Sequence, residues 1–425
     1  MDLLRCLNDG NSSRRWSGEC NLARVSPRTG AAEVVIDVGD DQGQKTRSVS
    51  WPASRAARAT PRILVLSHAD KDHVGGFREF AEEIDVQVQK GYQPPAEIWV
   101  PCSWGDVAVA IAIFQHPSFP ANYYWGDAAV QDSERTNNGL LGLAAQRIDR
   151  RALAEQLSEE IVGASDEWER LRKSLRDQDI AHGRVSRCRD VDQSIDHADR
   201  IIGVLQQAEQ WGSAVRYFDV ALANRHPGLP NNIPANTEGE PGVVTIVNAR
   251  EVRPDDGISL RRRFRSAVVQ RNRPGPLRQV LALLTRANQE SLVSMVWHER
   301  SPTSPVGLVW ADSDGATCLN GLVPWERVKV MTAPHHASAT ADHNPIWTAR
   351  RRYAFQSVVV SSGNQPNSKH SSGRAPRREF LAVDPVQRAC TGCRMTGHGS
   401  ARTSGDVTVT LVGSSAQLNR TCPAP

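Results

Sequence analysis

The architecture of this chain can be inferred from one ten-residue stretch, Ser67-His68-Ala69-Asp70-Lys71-Asp72-His73-Val74-Gly75-Gly76. It directly follows the apolar run Arg62–Leu66, which is typical of a strand buried on both faces. Two imidazoles and two carboxylates thus lie within six residues, on a turn that ends in two glycines. The first His and the first Asp are two positions apart and can point to the same side, whereas the second pair reaches in from the turn. Because both side-chain types bind divalent ions, this spacing predicts a site for two adjacent metal ions.

Short strand-like runs separated by turns lie on both sides of this loop, and a region rich in helix-forming residues interrupts them. Directly after the loop, Gly76–Glu83 is predicted to be a helix with Phe77 and Phe80 facing inward. The further predicted strands are Glu33–Asp37, Glu97–Val100, Gly242–Asn248, Leu292–Trp297, Gly307–Trp310, Val328–Met331, Ser357–Val360 and Asp406–Val412.

The composition is that of a soluble globular protein. The 425 residues are 39% apolar and 23% charged, the mean hydropathy is −0.45, and the formal net charge is only +4. No run approaches the roughly 18 to 20 apolar residues that cross a bilayer, which argues against a membrane protein. The segment Met1–Glu19 lacks the apolar centre of a secretory signal, so we expect a cytoplasmic protein.

Two motifs of the chain resemble those of a known family. The loop at His68 resembles the H-x-[HD]-x-D-H signature of the metallo-β-lactamase superfamily. With Asp second and Gly-Gly following, it is most similar to the hydrolase domain of DNA-uptake competence (ComEC-like) proteins. Met331–Ser338 is similar to the family's Pro-His-His-Gly-Ser motif, with Ala337 in place of the glycine. Weaker matches occur in the family's order at Ile36–Gly39, Asn288–Val293, Gly307–Asp312 and Val359–Asn364, the last followed by His370.

The resemblance covers the chain outside roughly 120–240, and it implies the fold and its division. The implied fold class is α/β, namely the αββα metallo-β-lactamase sandwich with a helical insertion. Residues 1–125 would form the first half of this fold and 126–238 a mainly helical insertion. Residues 239–425 would form the second half, together with a basic C-terminal segment.

The resemblance also implies a dinuclear site for Zn²⁺ or Mn²⁺, bridged by Asp312 or by its neighbour Asp314. Asp72, His335 and His336 would be catalytic as well as ligating, and which of the two His residues is the ligand stays open. Many family members place a further His between the first loop and the bridging Asp. It has no clear counterpart here, and ComEC-like proteins typically lack it too. The implied metal ligands are His68, Asp70, Asp72, His73, Asp312, His335 and His336, and the residues expected to support them are Asp37, Ser67, Ser361 and His370.

Such a site predicts a hydrolase that uses a metal-bound hydroxide. Its substrate is suggested by Arg261, Arg262, Arg263 and Arg265, which begin a stretch with seven Arg in eighteen residues. Segment 349–404 is also basic, with ten Lys or Arg against two acids. These arginines are either a solvated surface or a rim that binds phosphates. The second interpretation favours a nuclease or phosphodiesterase whose partner is nucleic acid.

Two other functions stay open. The same dinuclear site could hydrolyse a small ester, thioester or lactone, or the chain could be a metal-holding binding or sensing subunit without turnover. Cys390 and Cys393, with His398 and Cys422, could hold a structural zinc ion or be ordinary thiols. The helical insertion could bind a protein partner.

Overall fold

The chain divides into two compact units. The first comprises Met1–Pro101, Phe218–Glu251 and Asn288–Pro425, and the second comprises Cys102–Tyr217 and Val252–Ala287. Among the residues described, no helix is both long and apolar enough to cross a membrane. The structure, a computed structural model, describes residues 2–7, 18–25, 32–40, 52–105, 187–220, 244–252, 291–297, 304–313, 323–338, 343–361, 378–391, 406–412, 415–419 and 421.

Two mixed sheets organise the described residues. The nine-stranded sheet has the order β15-β14-β1-β2-β3-β4-β5-β6-β8. The neighbouring strands β3, β4 and β5 are parallel to one another. The pairs β14–β1, β1–β2 and β2–β3 are antiparallel. Its strands are β1 Asp2–Cys6, β2 Asn21–Val25, β3 Ala32–Ile36, β4 Ile63–Val65, β5 Glu97–Pro101, β6 Ala214–Asp219, β8 Arg250–Val252, β14 Val407–Val412 and β15 Ser415–Leu418.

The six-stranded sheet has the order β13-β12-β11-β10-β9-β7. Its strands β10 to β13 run parallel, whereas β9 is antiparallel to both β10 and β7. The strands are β7 Val244–Ile246, β9 Ser294–Trp297, β10 Val306–Val309, β11 Val328–Thr332, β12 Val358–Ser361 and β13 Arg388–Cys390. The helices of the described residues are α1 Pro52–Arg58, α2 Lys71–Val74, α3 Phe77–Gln89, α4 Arg187–Trp211, α5 Asn344–Tyr353 and α6 Arg378–Leu381.

The two sheets of the first unit face each other across a shared hydrophobic core. That core contains Val34 and Ile36 of β3 and Trp99 of β5 together with Val309 of β10 and Val330 of β11. Because successive strand residues point to opposite faces, the alternate residues of the same strands lie outside this core.

Helices cover the outer face of the six-stranded sheet. Leu308 of β10 and Val359 of β12 pack there in a second core with Ile346 and Trp347 of α5 and Phe380 of α6. The architecture is therefore mixed α/β, with two mixed sheets and helices, and the predicted α/β class is confirmed at this level.

The outer face of the nine-stranded sheet is also buried. Val35 and Leu64 alternate with residues of the shared core and are themselves fully buried. Helices α1 and α3 contact each other and bury Phe80 and Ile84 of α3. We infer that these two helices cover this face.

The predicted strands that fall on described residues are confirmed, although most begin or end one or two residues away from the predicted bounds. The helix predicted at Gly76–Glu83 is confirmed and longer, with both Phe residues buried. Strands β1, β2, β6, β8, β13 and β15 and helices α1, α2, α5 and α6 were not predicted. Most of the insertion expected at 126–238 lies outside the described residues, and its described part contains α4 and β6.

Candidate metal centre

The predicted site residues converge at one edge of the two facing sheets. Asp37 follows β3, His68 follows β4, Asp312 follows β10, and His335 follows β11. Ser361 is the last residue of β12. The carboxyl ends of parallel strands meet at one edge of a sheet, so five separate segments deliver side chains to the same place.

The Asp312 carboxylate lies at the middle of this cluster and is buried. Its Oδ2 atom is 3.7 Å from Nε2 of His68 and 3.5 Å from Nε2 of His335. Its Oδ1 atom is 3.4 Å from Nε2 of His73 and 3.9 Å from Nε2 of His336. Burial raises the pKa of Asp312, but the charges of His335 and His73 outweigh burial and hold that pKa well below its usual range. Each carboxylate oxygen therefore faces two imidazoles, as a carboxylate between two cations would.

Two further carboxylates flank Asp312, one on each side. Asp70 Oδ2 lies 3.6 Å from Nε2 of His68. Asp72 Oδ2 lies 3.1 Å from Nε2 of His336 and 4.0 Å from Nε2 of His73. We call the group at Oδ2 of Asp312 the first pole and the group at Oδ1 the second pole. The first pole contains His68, Asp70 and His335, and the second contains Asp72, His73 and His336.

Several buried atoms of the cluster have no hydrogen-bond partner among the described residues. They are Nε2 of His68, Nε2 of His73, Oδ1 of Asp312 and Oε2 of Glu19. A buried polar atom without a partner costs free energy, so such atoms are rare in folded proteins. Ligand atoms of His68, His73 and Asp312 lie within 4.8 Å of one another, and so do those of Glu19, His73 and His336. These buried groups could hold a metal ion, and their nitrogen and oxygen atoms are the donors such an ion needs.

Hydrogen bonds to the Nδ1 side orient the His side chains of the first loop. Asp37 Oδ2 is 2.8 Å from Nδ1 of His73, and the same carboxylate accepts from the amide and the hydroxyl of Ser67 at 2.8 and 2.7 Å. Ser67 Oγ lies 2.9 Å from Nδ1 of His68. On the opposite sheet, the Ser361 hydroxyl donates to the carbonyl of His336 at 2.7 Å. The contacts to Nδ1 fix which ring nitrogen of His68 and His73 is available to a metal, whereas the Ser361 contact holds the backbone of His336.

Left-handed backbone is concentrated in the loops of this centre. Positive φ angles occur at Asp37 (58°), Ala311 (47°), His335 (48°), His336 (52°) and Ala337 (62°). For residues other than glycine this conformation costs roughly 1 to 2 kcal/mol each. The positive φ of Ala337 gives a physical reason for the glycine that the resembled motif has at this position, because glycine adopts it without strain.

Without a bound metal, the imidazoles of His68 and His336 have raised pKa values and hold protons more tightly than free His. Burial and the neighbouring His73 lower the pKa of His68, but hydrogen bonds to Asp312 and a second carboxylate outweigh them and raise it to about 9. Burial likewise lowers the pKa of His336, whereas the Asp72 carboxylate and the charge of Asp312 raise it to about 9.

These shifts predict how stability depends on pH. In the metal-free protein, the free energy of unfolding should fall as the pH rises from about 6.5, the unfolded value, to the folded value of about 9. Each group that is protonated in the folded chain and neutral in the unfolded chain lowers the free energy of unfolding by about 1.4 kcal/mol per pH unit in this range. Urea unfolding in the presence of a chelator would measure this trend. A constant free energy of unfolding across the range would contradict it.

Sequence reasoning missed three residues of this region. Glu19, two residues before the start of β2, is fully buried beside His336. The Ser291 hydroxyl lies 3.4 Å from Nδ1 of His68 and accepts from the Asp312 amide at 3.3 Å. Asn248 accepts from the Val293 amide at 2.8 Å and donates to the Ser291 carbonyl at 2.7 Å, which holds these segments together. Ser291 lies in the weakly matched segment Asn288–Val293, whereas nothing near Glu19 in the sequence indicates that it is buried.

Several predicted residues cannot be located. Cys390 is buried at the end of β13, but its predicted zinc partner is not described. The predicted residues outside the described part of the chain are Arg261, Arg262, Arg263, Arg265, Asp314, His370, Cys393, His398 and Cys422.

No model of a known protein family matches the chain, and no curated protein and no solved structure matches it either. The resemblance to the metallo-β-lactamase superfamily therefore stays a prediction that rests on its motifs.

Proposed function

We propose that this chain is a metal-dependent hydrolase with the αββα metallo-β-lactamase sandwich, acting on phosphodiesters as a nuclease or phosphodiesterase. The carrying observation is the buried Asp312 carboxylate, each oxygen of which faces two imidazoles. A carboxylate in this position suits two cations that are a few ångströms apart. The loops that carry these residues follow strands of two facing sheets and meet at one edge, which agrees with the proposed sandwich.

Two divalent ions would supply the chemistry, because they acidify a bound water and neutralise charge on a phosphoryl oxygen. We propose that His68, Asp70 and His335 hold one ion and that Asp72, His73 and His336 hold the other, with Asp312 shared between them. His335 and His336 would then both be ligands, one at each pole. Carboxylates contribute at both poles, which suits Mn²⁺ as well as Zn²⁺.

The exposed side chains of the centre are the ones we expect to meet the substrate. His335 is 32% exposed, Asp72 25% and Asp70 22%, whereas His68 and His73 are fully buried. A substrate would therefore approach on the side of His335, Asp72 and Asp70. A phosphodiester is negatively charged, so the bound metal ions and the arginine-rich segments of the sequence would attract it.

Activity measurements on a substrate panel test this proposal. Purified protein with Mn²⁺ or Zn²⁺ should cleave bis-p-nitrophenyl phosphate and at least one of single-stranded DNA, double-stranded DNA and RNA. Asp72→Ala should lose this activity, because it removes a carboxylate that faces two imidazoles of the second pole.

The same panel includes carboxylic esters, thioesters and lactones. Turnover of these compounds without cleavage of any phosphodiester would contradict the nuclease and support the small-ester hydrolase. Metal binding without turnover of any compound would support the binding or sensing subunit instead. Glu83→Gln is the matched control, since Glu83 pairs with Arg58 on the surface and should leave every activity unchanged.

A further inference from the structure

The buried His side chains of the centre follow one pattern, in which Nδ1 contacts a protein oxygen and Nε2 points into the cluster. For His73 that oxygen belongs to Asp37, and for His68 it belongs to Ser67. For His336 the corresponding atom is Oε2 of Glu19, which lies 3.6 Å from Nδ1. The Nε2 atom of His336 faces the second pole. Glu19 thus takes the position for His336 that Asp37 takes for His73.

The Glu19 carboxylate is held in place from two sides. The side-chain amide of Asn21 donates to Oε1 of Glu19 at 2.9 Å, which leaves Oε2 for the imidazole. Glu19 is fully buried, and its Oε2 atom has no hydrogen-bond partner among the described residues. A buried carboxylate oxygen of this kind requires a donor or a cation nearby, and the imidazole of His336 can supply the donor.

The backbone independently fixes Glu19 against the metal-binding loop. The amide of Glu19 donates to the carbonyl of Asp72 at 2.7 Å. Gly18 has a φ of +64°, and a Cβ atom added there would lie 2.2 Å from the Asp72 carbonyl oxygen and 2.6 Å from the Asp40 amide nitrogen. Only glycine fits such a close approach, so the segment before β2 is docked directly onto the loop that carries Asp72.

We propose that Glu19 is a positioning residue that accepts a hydrogen bond from Nδ1 of His336 and so keeps Nε2 of His336 available to the second pole. This inference rests on the proposed metal site and adds to it a residue that no motif of the sequence indicated. A carboxylate behind a ligating imidazole fixes its tautomer and orientation and increases its basicity as a ligand. Glu19 also lies close enough to His73 and His336 to be a ligand itself, and the experiment separates the two roles.

Two variants of similar volume test the proposal, Glu19→Gln and Glu19→Met. Glutamine can still accept the hydrogen bond from Nδ1 of His336, because the Asn21 amide can turn and offer its buried Oδ1, which has no partner among the described residues, to the new NH₂ group. Methionine cannot accept it. Calorimetric titration with Zn²⁺ and with Mn²⁺ should show an affinity loss of about 10- to 100-fold for Glu19→Met and a much smaller loss for Glu19→Gln. The number of ions bound should remain at the wild-type value in both. Proton-detected nitrogen-15 NMR of the zinc-loaded protein should find the Nδ1 proton of His336 hydrogen-bonded, shifted downfield and protected from exchange, in the wild type and in Glu19→Gln, but less shifted and faster in exchange in Glu19→Met.

Three outcomes would overturn the proposal. Wild-type affinity in Glu19→Met would show that His336 needs no orienting carboxylate, while leaving the proposed function intact. Loss of one bound ion in both variants would show that Glu19 is a ligand. Failure of the wild type to bind either metal would contradict the proposed function together with this inference. Circular dichroism in the presence of a chelator checks that both variants fold, and if Glu19→Met does not fold, Glu19→Leu, which also lacks an acceptor, is measured in its place.

Discussion

Asp312→Asn should abolish metal binding at the centre and with it any metal-dependent hydrolysis. The substitution keeps the shape of the side chain but replaces one acceptor oxygen by an amide nitrogen that carries two hydrogens. That nitrogen would face either the first or the second pole, and the negative charge between four imidazoles would be lost. Removing a residue that hydrogen-bonds to a metal ligand typically lowers the metal affinity by about 10- to 100-fold. Removing a ligand that both ions share should therefore lower the affinity by more than about 100-fold. Metal content after dialysis and the rate of bis-p-nitrophenyl phosphate cleavage would measure both effects.

Asp384→Asn is the matched control for this experiment. Asp384 is exposed and caps the short turn Pro385–Gln387 by accepting from the Val386 amide at 3.0 Å, outside the metal centre. The same chemical change there should leave metal content and activity at wild-type values. If Asp312→Asn retained both metal ions, Asp312 could not be the residue shared between the two poles.

Local spacing explains which parts of the site were predictable. His68, Asp70, Asp72 and His73 lie within six residues after a strand, so their convergence follows from strand and turn geometry alone. Asp312 depended on the order of the weaker motifs as well. The strand positions were also predictable where continuous runs of Val, Ile and Leu are buried on both faces, as in β4 and β12.

The residues that were missed depend on long-range pairing. Glu19 reaches the centre only because β2 pairs with β3 in a register that sets Asn21 opposite Ile36, next to Asp37. Nothing near Glu19 in the sequence indicates that pairing. Strands β1 and β2 are short and carry polar residues such as Arg5 and Arg24 on their exposed face, so their apolar pattern was too weak to predict.

The expected effect of Asp37→Asn depends on which His73 nitrogen carries the proton. The Asp37 carboxylate accepts from the Ser67 amide, from the Ser67 hydroxyl and from Nδ1 of His73. Asparagine tolerates the positive φ of this position, so the backbone can stay unchanged. If its oxygen accepts from the Ser67 amide, its NH₂ group faces Nδ1 of His73. That nitrogen must then be unprotonated, which moves the proton to Nε2, the atom that faces the centre.

The alternative orientation of the asparagine sets its NH₂ group against the Ser67 amide and leaves a buried donor without an acceptor, at a cost of about 1 to 3 kcal/mol. Either way, the zinc and manganese affinities should fall by about 10- to 100-fold, although no ligand has been removed. Competition with a chromophoric chelator would measure the affinity, and nitrogen-15 NMR would identify the His73 tautomer. Ser67→Ala provides a comparison for the tautomer, because it removes the hydroxyl next to Asp37 and to Nδ1 of His68 but leaves the acceptor for Nδ1 of His73 in place, so the His73 tautomer should stay that of the wild type. A wild-type His73 tautomer in Asp37→Asn together with a loss of affinity would mean that packing around Asp37, rather than the tautomer of His73, controls metal binding.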